Sequence, residues 1–530
     1  MESVQKNQLP LSKIEKRTRT IGLFLGPIFF LLVLFLDPPQ AFFNIAKSSL
    51  PSDAALSDVR TLVYSTKITF ALLLLMVVWW ITEAVPIPIT ALLPGLILPL
   101  FHVYGSSNEK LYEFTGKAIL LNYAHPIIFL FLSGFLLAAA MQKWSLDKRL
   151  TLFILSRGRL ADSSKLVLLG MMSISAFLSM WISNTAATAM LLPLGLGIIA
   201  QSGANKTDSN FGKSLMLGIA YAATIGGVGT IIGSPTNGIC VSILSASKIA
   251  EINFLDWMKF GVPFVILFIP VAWFVLIKVF PPEIEKLQGG KALILAQKNK
   301  LGKWNRGEKM TVIVFLIVVL LWITNPFWEM ILPENISSKL GWFDESLIAL
   351  FGAILLFLFP VDWKERTFIL EWSDSKVVDW GTLLLFGGGI ALSDAMFRTG
   401  LAGWIANSAV SIVGTPSAFL LILIIVPLTV ILSEITSNTA QISMMMPILI
   451  SIAYGTGVDP LAITIAAAVA TSMGFMLPVA TPPNALVYGS GYIRMKDMIK
   501  VGSILDVLGW IFSIFAVVTF AYKIFGIIKL

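Results

Sequence analysis

Two short stretches of this sequence carry residue types that could bind a small ligand, and they are copies of one another. Ser179-Met-Trp-Ile-Ser183-Asn184-Thr185-Ala186 is followed by Met190 and Pro193, and Ser433-Glu-Ile-Thr-Ser437-Asn438-Thr439-Ala440 by Met444 and Pro447. One constant spacing of 254 residues superposes all the shared positions. A second pair lies further on, Gly233-Ser234-Pro235-Thr236-Asn237 and Ala480-Thr481-Pro482-Pro483-Asn484. Hydroxyls, amide oxygens and freed backbone carbonyls are neutral oxygen ligands of the kind that hold a monovalent cation. Freed amides and helix N-termini at the same places suit an anion.

The four clusters sit deep in apolar sequence. Pro235, Pro482 and Pro483 lack the amide proton and break a helical ladder, and Gly226, Gly227, Gly229 and Gly233 loosen the approach to the first break. Non-helical backbone at membrane depth is tolerated where it is buried in protein or lines a polar cavity, so two breaks and two hairpin tips point to one shared site. No lysine or arginine occurs in 166–200, 214–247, 415–458 or 460–493. A dianion bound there meets no fixed positive side chain, and bound cations would have to balance it. A lone serine or threonine in a membrane helix usually bonds its own backbone or a neighbouring helix; the duplicated pattern beside a proline break does not fit that account.

Enzymatic roles are excluded more simply. No histidine or lysine in these segments could activate Ser183 or Ser437 as a nucleophile. Two histidines, His102 and His125, are too few for a His-rich metal site, and the one cysteine, Cys240, forms no internal disulfide. Glu434 is the one ionisable residue of the second tip and is replaced by Met180 in the first copy. It reads equally as a site ligand and as a structural cap.

The elements that must position these residues follow from composition. Of 530 residues, 56% are hydrophobic and 13% charged, with a mean hydropathy of +0.85; a soluble protein carries about 25% charged residues. Uncharged runs of roughly 18 residues or more recur, each able to span a bilayer. The fold class is therefore an all-α polytopic membrane protein. The net charge of +8 reflects lysines and arginines gathered in cytoplasmic loops, not a nucleic-acid partner. The basic leader before 21–36 reads as an uncleaved first helix with a cytoplasmic N-terminus.

Three basic clusters, within 143–165, 281–309 and 494–500, should share the cytoplasmic side with that N-terminus. Treating 166–200 as a hairpin that enters and leaves by one side satisfies this; a simple crossing does not. The resulting division is a cytoplasmic segment 1–20, a first repeat 21–280, a cytoplasmic linker 281–309 and a second repeat 310–530. The first repeat holds an inner hairpin at about 164–201 and a broken helix at about 213–250; the second holds an outer hairpin at about 416–454 and a broken helix at about 460–493. An odd number of crossings per unit makes the copies inverted, a transporter design with its site near the midplane.

At these residues the chain resembles the divalent anion/sodium symporter family, the INDY-type carriers. The likeness runs over nearly the whole chain after about residue 65, through Trp79-Trp80-Ile-Thr-Glu83-Ala-Val-Pro86-Ile-Pro88, Phe129-Leu-Phe-Leu-Ser-Gly134-Phe and the motifs above. The resemblance implies about eleven transmembrane helices plus two re-entrant hairpins, a dimerising scaffold and a transport unit that moves as an elevator. It implies sodium-coupled symport of C4-dicarboxylates such as succinate, malate and fumarate, with no organic cofactor. One sodium would meet Ser179, Ser183, Asn184 and the backbone near Gly233; the other Ser433, Thr436, Asn438 and Ala480. Substrate carboxylates would meet Ser183, Asn184, Thr185, Ser234, Ser437, Asn438, Thr439, Thr481 and Pro482. A homodimer in membrane lipid, in the inner membrane of a bacterium, is the setting it implies. The runner-up is a sodium-independent di- or tricarboxylate exchanger or a proton-coupled anion carrier using Glu434. Exchangers of the broader family follow Ser-Asn-Thr with Ala-Arg, where this chain has Ala186-Ala187 and Ala440-Gln441. Ser433 stands where threonine is expected, which keeps the hydroxyl.

The charge pattern makes one topological prediction. With Cys240 replaced, Lys291→Cys in intact cells should resist impermeant thiol reagents, and strong labelling there would defeat the hairpin assignment.

Overall fold

A computed structural model describes residues 13–107, 109–157, 163–202, 209–285 and 290–527. Apolar sequence becomes helix throughout, because backbone groups in lipid must be satisfied within their own segment. Among the described residues, eight helices are long and apolar enough to cross a membrane, or nine if Glu334–Leu340 and Glu345–Leu358, bent by 76°, form one span. Two further apolar stretches are each broken at a proline into two shorter helices. The broken pairs are Asn210–Gly227 with Pro235–Ala246, and Pro460–Thr471 with Pro482–Tyr488.

The first helix runs Lys13–Phe35, so the expected 1–20 segment is helical from Lys13; residues 1–12 lie outside the described residues. Arg19 at its basic end reaches Glu83 at 2.6 Å. Beyond it Phe24, Ile28, Leu31 and Phe35 are exposed, an apolar face suited to lipid. Beyond Leu93–Leu100 the chain turns into a small antiparallel β-hairpin pairing Tyr104 with Glu113 and Ser107 with Lys110.

Helix boundaries recur at fixed spacings. Pro126–Lys143 and Trp380–Arg398 begin 254 residues apart, as do Ser164–Ser179 and Ala418–Ser433. Pro235–Ala246 and Pro482–Tyr488 begin 247 apart, and Phe254–Val279 and Met495–Ala516 begin 241 apart. The second copy is the same succession with shorter connections.

The first hairpin consists of Ser164–Ser179 and Asn184–Gln201. At 18 residues its second arm is long enough to cross a membrane. Both ends of the hairpin are anchored: Ser164 N donates to Glu285 O at 3.3 Å, while Glu283 accepts from Ser209 Oγ and, at 2.9 Å, from Phe211 N. The start of the hairpin and the residues just beyond it thus meet the same stretch, 283–285. Two of the basic loops also meet. Arg149 pairs with Glu308 at 2.8 Å and donates to Gly302 O at 3.0 Å. The second hairpin, Ala418–Ser433 and Asn438–Thr456, repeats the first. The copies interleave: Asn184–Gln201 packs against Pro482–Tyr488, and Asn438–Thr456 against Pro235–Ala246.

Glycines permit the tightest approaches. A Cβ on Gly226 would lie 2.3 Å from Ala176 O, and one on Gly261 or Gly502 would lie 2.4 Å from Val228 O or Phe475 O. A Cβ on Gly389 would meet nothing closer than 3.6 Å. Gly226→Ala should therefore lower the melting temperature of the purified protein, by the several degrees that an overpacking cost of about 1–3 kcal/mol implies. Gly389→Ala should leave it unchanged; equal melting of both variants would refute the close packing at Gly226.

Candidate functional site

Each break begins where a helix runs out of hydrogen bonds and leaves carbonyls without an intrahelical partner. One asparagine closes each. Asn237 Nδ2 donates to Gly227 O at 2.8 Å and Thr230 O at 2.7 Å. Exactly 247 residues on, Asn484 Nδ2 donates to Gly474 O at 3.3 Å and Leu477 O at 3.1 Å. Both asparagines are fully buried. Both belong to the quoted motifs, yet sequence reasoning assigned them no role, because a clasp between residues seven and ten apart is invisible until the break is folded.

The hairpin tips fasten to these breaks by opposite chemistry. In the first copy Thr230 Oγ1 donates to Met180 O and accepts from Gly233 N at 3.0 Å. At the matching position of the second tip, Glu434 accepts from Met476 N through Oε1 and from Leu477 N through Oε2, each at 2.8 Å. Asp506 Oδ1 accepts from Phe475 N at 2.9 Å. Glu434 is thus a structural clasp, one of the two roles left open for it. The breaks are also tied to each other. Tyr221 Oη donates to Phe475 O at 2.8 Å, and Thr236 Oγ1 lies 3.2 Å from Ser472 Oγ. Thr230, Tyr221 and Asp506 carried no motif signal.

Around the first tip, four expected cation ligands come together in part. The inward-facing atom of the Asn184 amide lies 2.6 Å from Ser179 Oγ, 3.2 Å from Gly233 O and 3.3 Å from Ala223 O. With its nitrogen inward the amide donates to all three. With its oxygen inward it completes a cluster of oxygens, an arrangement that attracts a cation. A Cβ on Gly227 would lie 2.5 Å from Asn184 Oδ1, and one on Gly233 would lie 3.0 Å from Ser179 O, so only glycine leaves this space open. Ser183 stands outside the cluster, capping its own helix through Ala186 N at 3.2 Å.

The second tip repeats the layout less completely. A Cβ on Gly474 would lie 2.9 Å from Ser433 Oγ and 3.3 Å from Ala480 Cβ, which brings Ser433 and Ala480 to one point. Asn438 Oδ1 and Asn484 Oδ1 are buried acceptors with no hydrogen-bond partner among the described residues. Ser433 Oγ and Thr436 Oγ1 bond back to Val430 O and Leu432 O, each at 2.8 Å.

The expected anion ligands divide by depth. Ser234 and Thr481 are buried, whereas Ser183, Thr185 and Pro482 are exposed, and Asn184, Ser437, Asn438 and Thr439 are half-buried. Ser437 Oγ lies 3.0 Å from Thr439 Oγ1, and Thr481 Oγ1 accepts from Asn484 N at 3.3 Å. No hydrogen bond among the described residues joins 183–185 to 437–439; each hairpin's second arm packs instead on the other copy's broken helix, Asn184–Gln201 on Pro482–Tyr488 and Asn438–Thr456 on Pro235–Ala246. Among the described residues no cluster of histidine, cysteine or acidic side chains could hold a metal ion.

Duplicated hairpins and broken helices inside a mostly helical bundle define a polytopic membrane transporter. In fold the chain resembles MtrF of Neisseria gonorrhoeae, one of a class of antimetabolite efflux pumps, with a TM-score of 0.54 at 12% identity over 86% of this chain and 95% of that one. The YdaH transporter of Alcanivorax borkumensis matches with a TM-score of 0.50 at 15% identity, over 87% and 99%. The chain belongs to the family defined by the sodium:sulfate symporter transmembrane region, whose model matches residues 56–527. It is 37% identical to the sodium-dependent dicarboxylate transporter SdcS of Staphylococcus saprophyticus over 96% of this chain and 92% of the relative. The Staphylococcus aureus protein of the same name is 38% identical over 94% and 90%. These relatives are transporters, and the chain is not an enzyme.

The clasps make a signed prediction. Asn484→Ala leaves the buried Gly474 carbonyl and the half-buried Leu477 carbonyl unpaired, the former at about 1–3 kcal/mol, and should lower the melting temperature measurably. Asn484→Asp turns an acceptor toward the same carbonyls and should be worse than alanine. An aspartate variant as stable as the native protein would remove the clasp from the account.

Proposed function

We propose that this protein is a secondary transporter that carries C4-dicarboxylates across the membrane together with sodium. The observation that supports it most directly is the convergence of Ser179 Oγ, Gly233 O and Ala223 O on the Asn184 amide, in a region without lysine or arginine. Burying uncompensated charge costs several kcal/mol or more. Helix N-termini return only roughly 0.3–2 kcal/mol each. Co-bound sodium is the compensator these residues offer, at Ser179, Ser183, Asn184 and Gly233 and again at Ser433, Thr436, Asn438 and Ala480. The carboxylates would then meet Ser183, Asn184, Thr185, Ser234, Ser437, Asn438, Thr439, Thr481 and Pro482. The names of the two staphylococcal relatives agree with this reading. Glu434 as a proton carrier fits less well, since both its oxygens already hold backbone amides.

The same reading extends to architecture. The units 21–280 and 310–530 act as inverted repeats joined by the cytoplasmic linker 281–309, giving about eleven spans and two re-entrant hairpins with a cytoplasmic N-terminus. The hairpins and broken helices slide as an elevator against a scaffold that includes Arg306–Thr324, whose exposed Ile313, Leu316 and Leu320 offer a face for lipid or for a second copy in a homodimer. A bacterial plasma membrane is the setting.

Calorimetry of succinate binding in sodium and in choline tests the coupling. Affinity should collapse in choline, and Asn184→Ala or Asn438→Ala should weaken sodium and succinate binding together. Equal affinity in the two salts would reject sodium coupling and favour the exchanger; binding of sulfate in preference to succinate would reassign the substrate.

A further inference from the structure

A cavity of about 460 Å³ lies beside the middle of the first hairpin's second arm, where Met190, Leu191, Pro193 and Leu194 line it about two turns beyond the tip. Its apolar floor includes Leu191 and Leu194 of that arm and Leu152 of the helix Leu146–Leu155. Its polar rim includes Lys148, Gln297 and Lys300, the last two from the linker helix Gly290–Lys300. No acidic side chain lines it. Both lysines are exposed, while Leu152, Leu191 and Leu194 are buried. An apolar pocket of this size with a few convergent polar groups is what a small-molecule site requires. The chemistry it selects has two parts: two ammonium groups ask for an anionic head, and the leucine floor asks for an alkyl chain. The volume admits a single chain and its head, not a two-chain lipid.

We infer that this cavity binds a single-chain alkyl carboxylate, and that the occupant holds the first hairpin against the linker. Three separate elements supply its walls, and they are already fastened to one another on one side. Arg149 Nη2 donates to Leu301 O at 3.0 Å, and Lys298 Nζ donates to Ser156 Oγ at 3.0 Å. These bonds join the linker to Leu146–Leu155, whereas the arm Asn184–Gln201 makes no hydrogen bond to either among the described residues. The hairpin meets the linker through Ser164 at the start of its first arm; a bound chain would add a second fastening, at the second arm, since its tail would rest on Leu191 and Leu194 and its head on Lys148 and Lys300. The holding effect rests on the reading of the hairpin as a moving part; the binding itself does not.

The test uses the full-length protein in phosphatidylcholine nanodiscs and a dodecanoate probe with a diazirine on its chain. Photolabel should map to 148–152 and 190–194, be competed by dodecanoate but not by dodecanol, and fall at least fivefold in the double variant Lys148→Gln, Lys300→Gln. Label confined to lipid-facing helices such as Lys13–Phe35, equal competition by dodecanol, or undiminished label in the variant would each overturn the site. In proteoliposomes, dodecanoate should slow succinate uptake at least tenfold more potently in the native protein than in the variant, whose uptake without dodecanoate should match. Membrane partitioning acts on both alike, so equal slowing overturns the holding effect. Uptake absent in both proteins while labelling persists would instead count against the transport reading and leave the site standing.

Discussion

A carbonyl freed inside a membrane protein has no water to turn to, and much of this site follows from that constraint. Each helix break must release carbonyls to create ligands, yet every released carbonyl that is not a ligand needs a donor. Asn237 and Asn484 meet the need with one amide each, spanning the gap from Gly227 to Thr230 and from Gly474 to Leu477. An amide suits the task because its two N–H groups diverge and can serve two acceptors at once. Pro235, two residues before Asn237, and Pro482 and Pro483, directly before Asn484, lack the donor that would otherwise continue the ladder. Proline opens the backbone and asparagine limits how far it opens.

With the breaks fixed, the tips can be brought to them only where side chains are absent. Gly226, Gly227 and Gly233 let the first break touch Ala176, Asn184 and Ser179, and Gly474 does the same for Ser433. The two copies keep this steric plan and diverge in how they fasten it. Thr230 uses a hydroxyl donor on a carbonyl, whereas Glu434 and Asp506 use carboxylate acceptors on three successive amides. The fastening in one half is neutral and in the other carries acidic groups, so the two tips present unequal electrostatic surroundings to whatever binds between them. This asymmetry is a property of the pair that neither motif reveals alone.

The sequence by itself determined a good deal. Hydropathy settled the helical membrane class because lipid leaves a chain few alternatives, and the 254-residue spacing exposed the duplication because Ser-Asn-Thr recurs without insertions. The absence of lysine and arginine around the tips was legible at once, since charge is a property of residues and not of their arrangement. Proline positions located both breaks for the same reason. Tertiary structure decided what depends on distance. Asn237 and Asn484 stood in plain view but acquired a role only when the break folded back on itself. Glu434 could have faced a ligand or the backbone, and its neighbours' amides chose the second. Tyr221 and Asp506 carried no pattern, because the carbonyl and amide they serve lie 254 and 31 residues away. The first hairpin's return was inferred from charge balance, while the contacts that anchor it, Ser164 and Phe211 to residues 283–285, come from segments whose spacing in sequence says nothing about their spacing in the membrane.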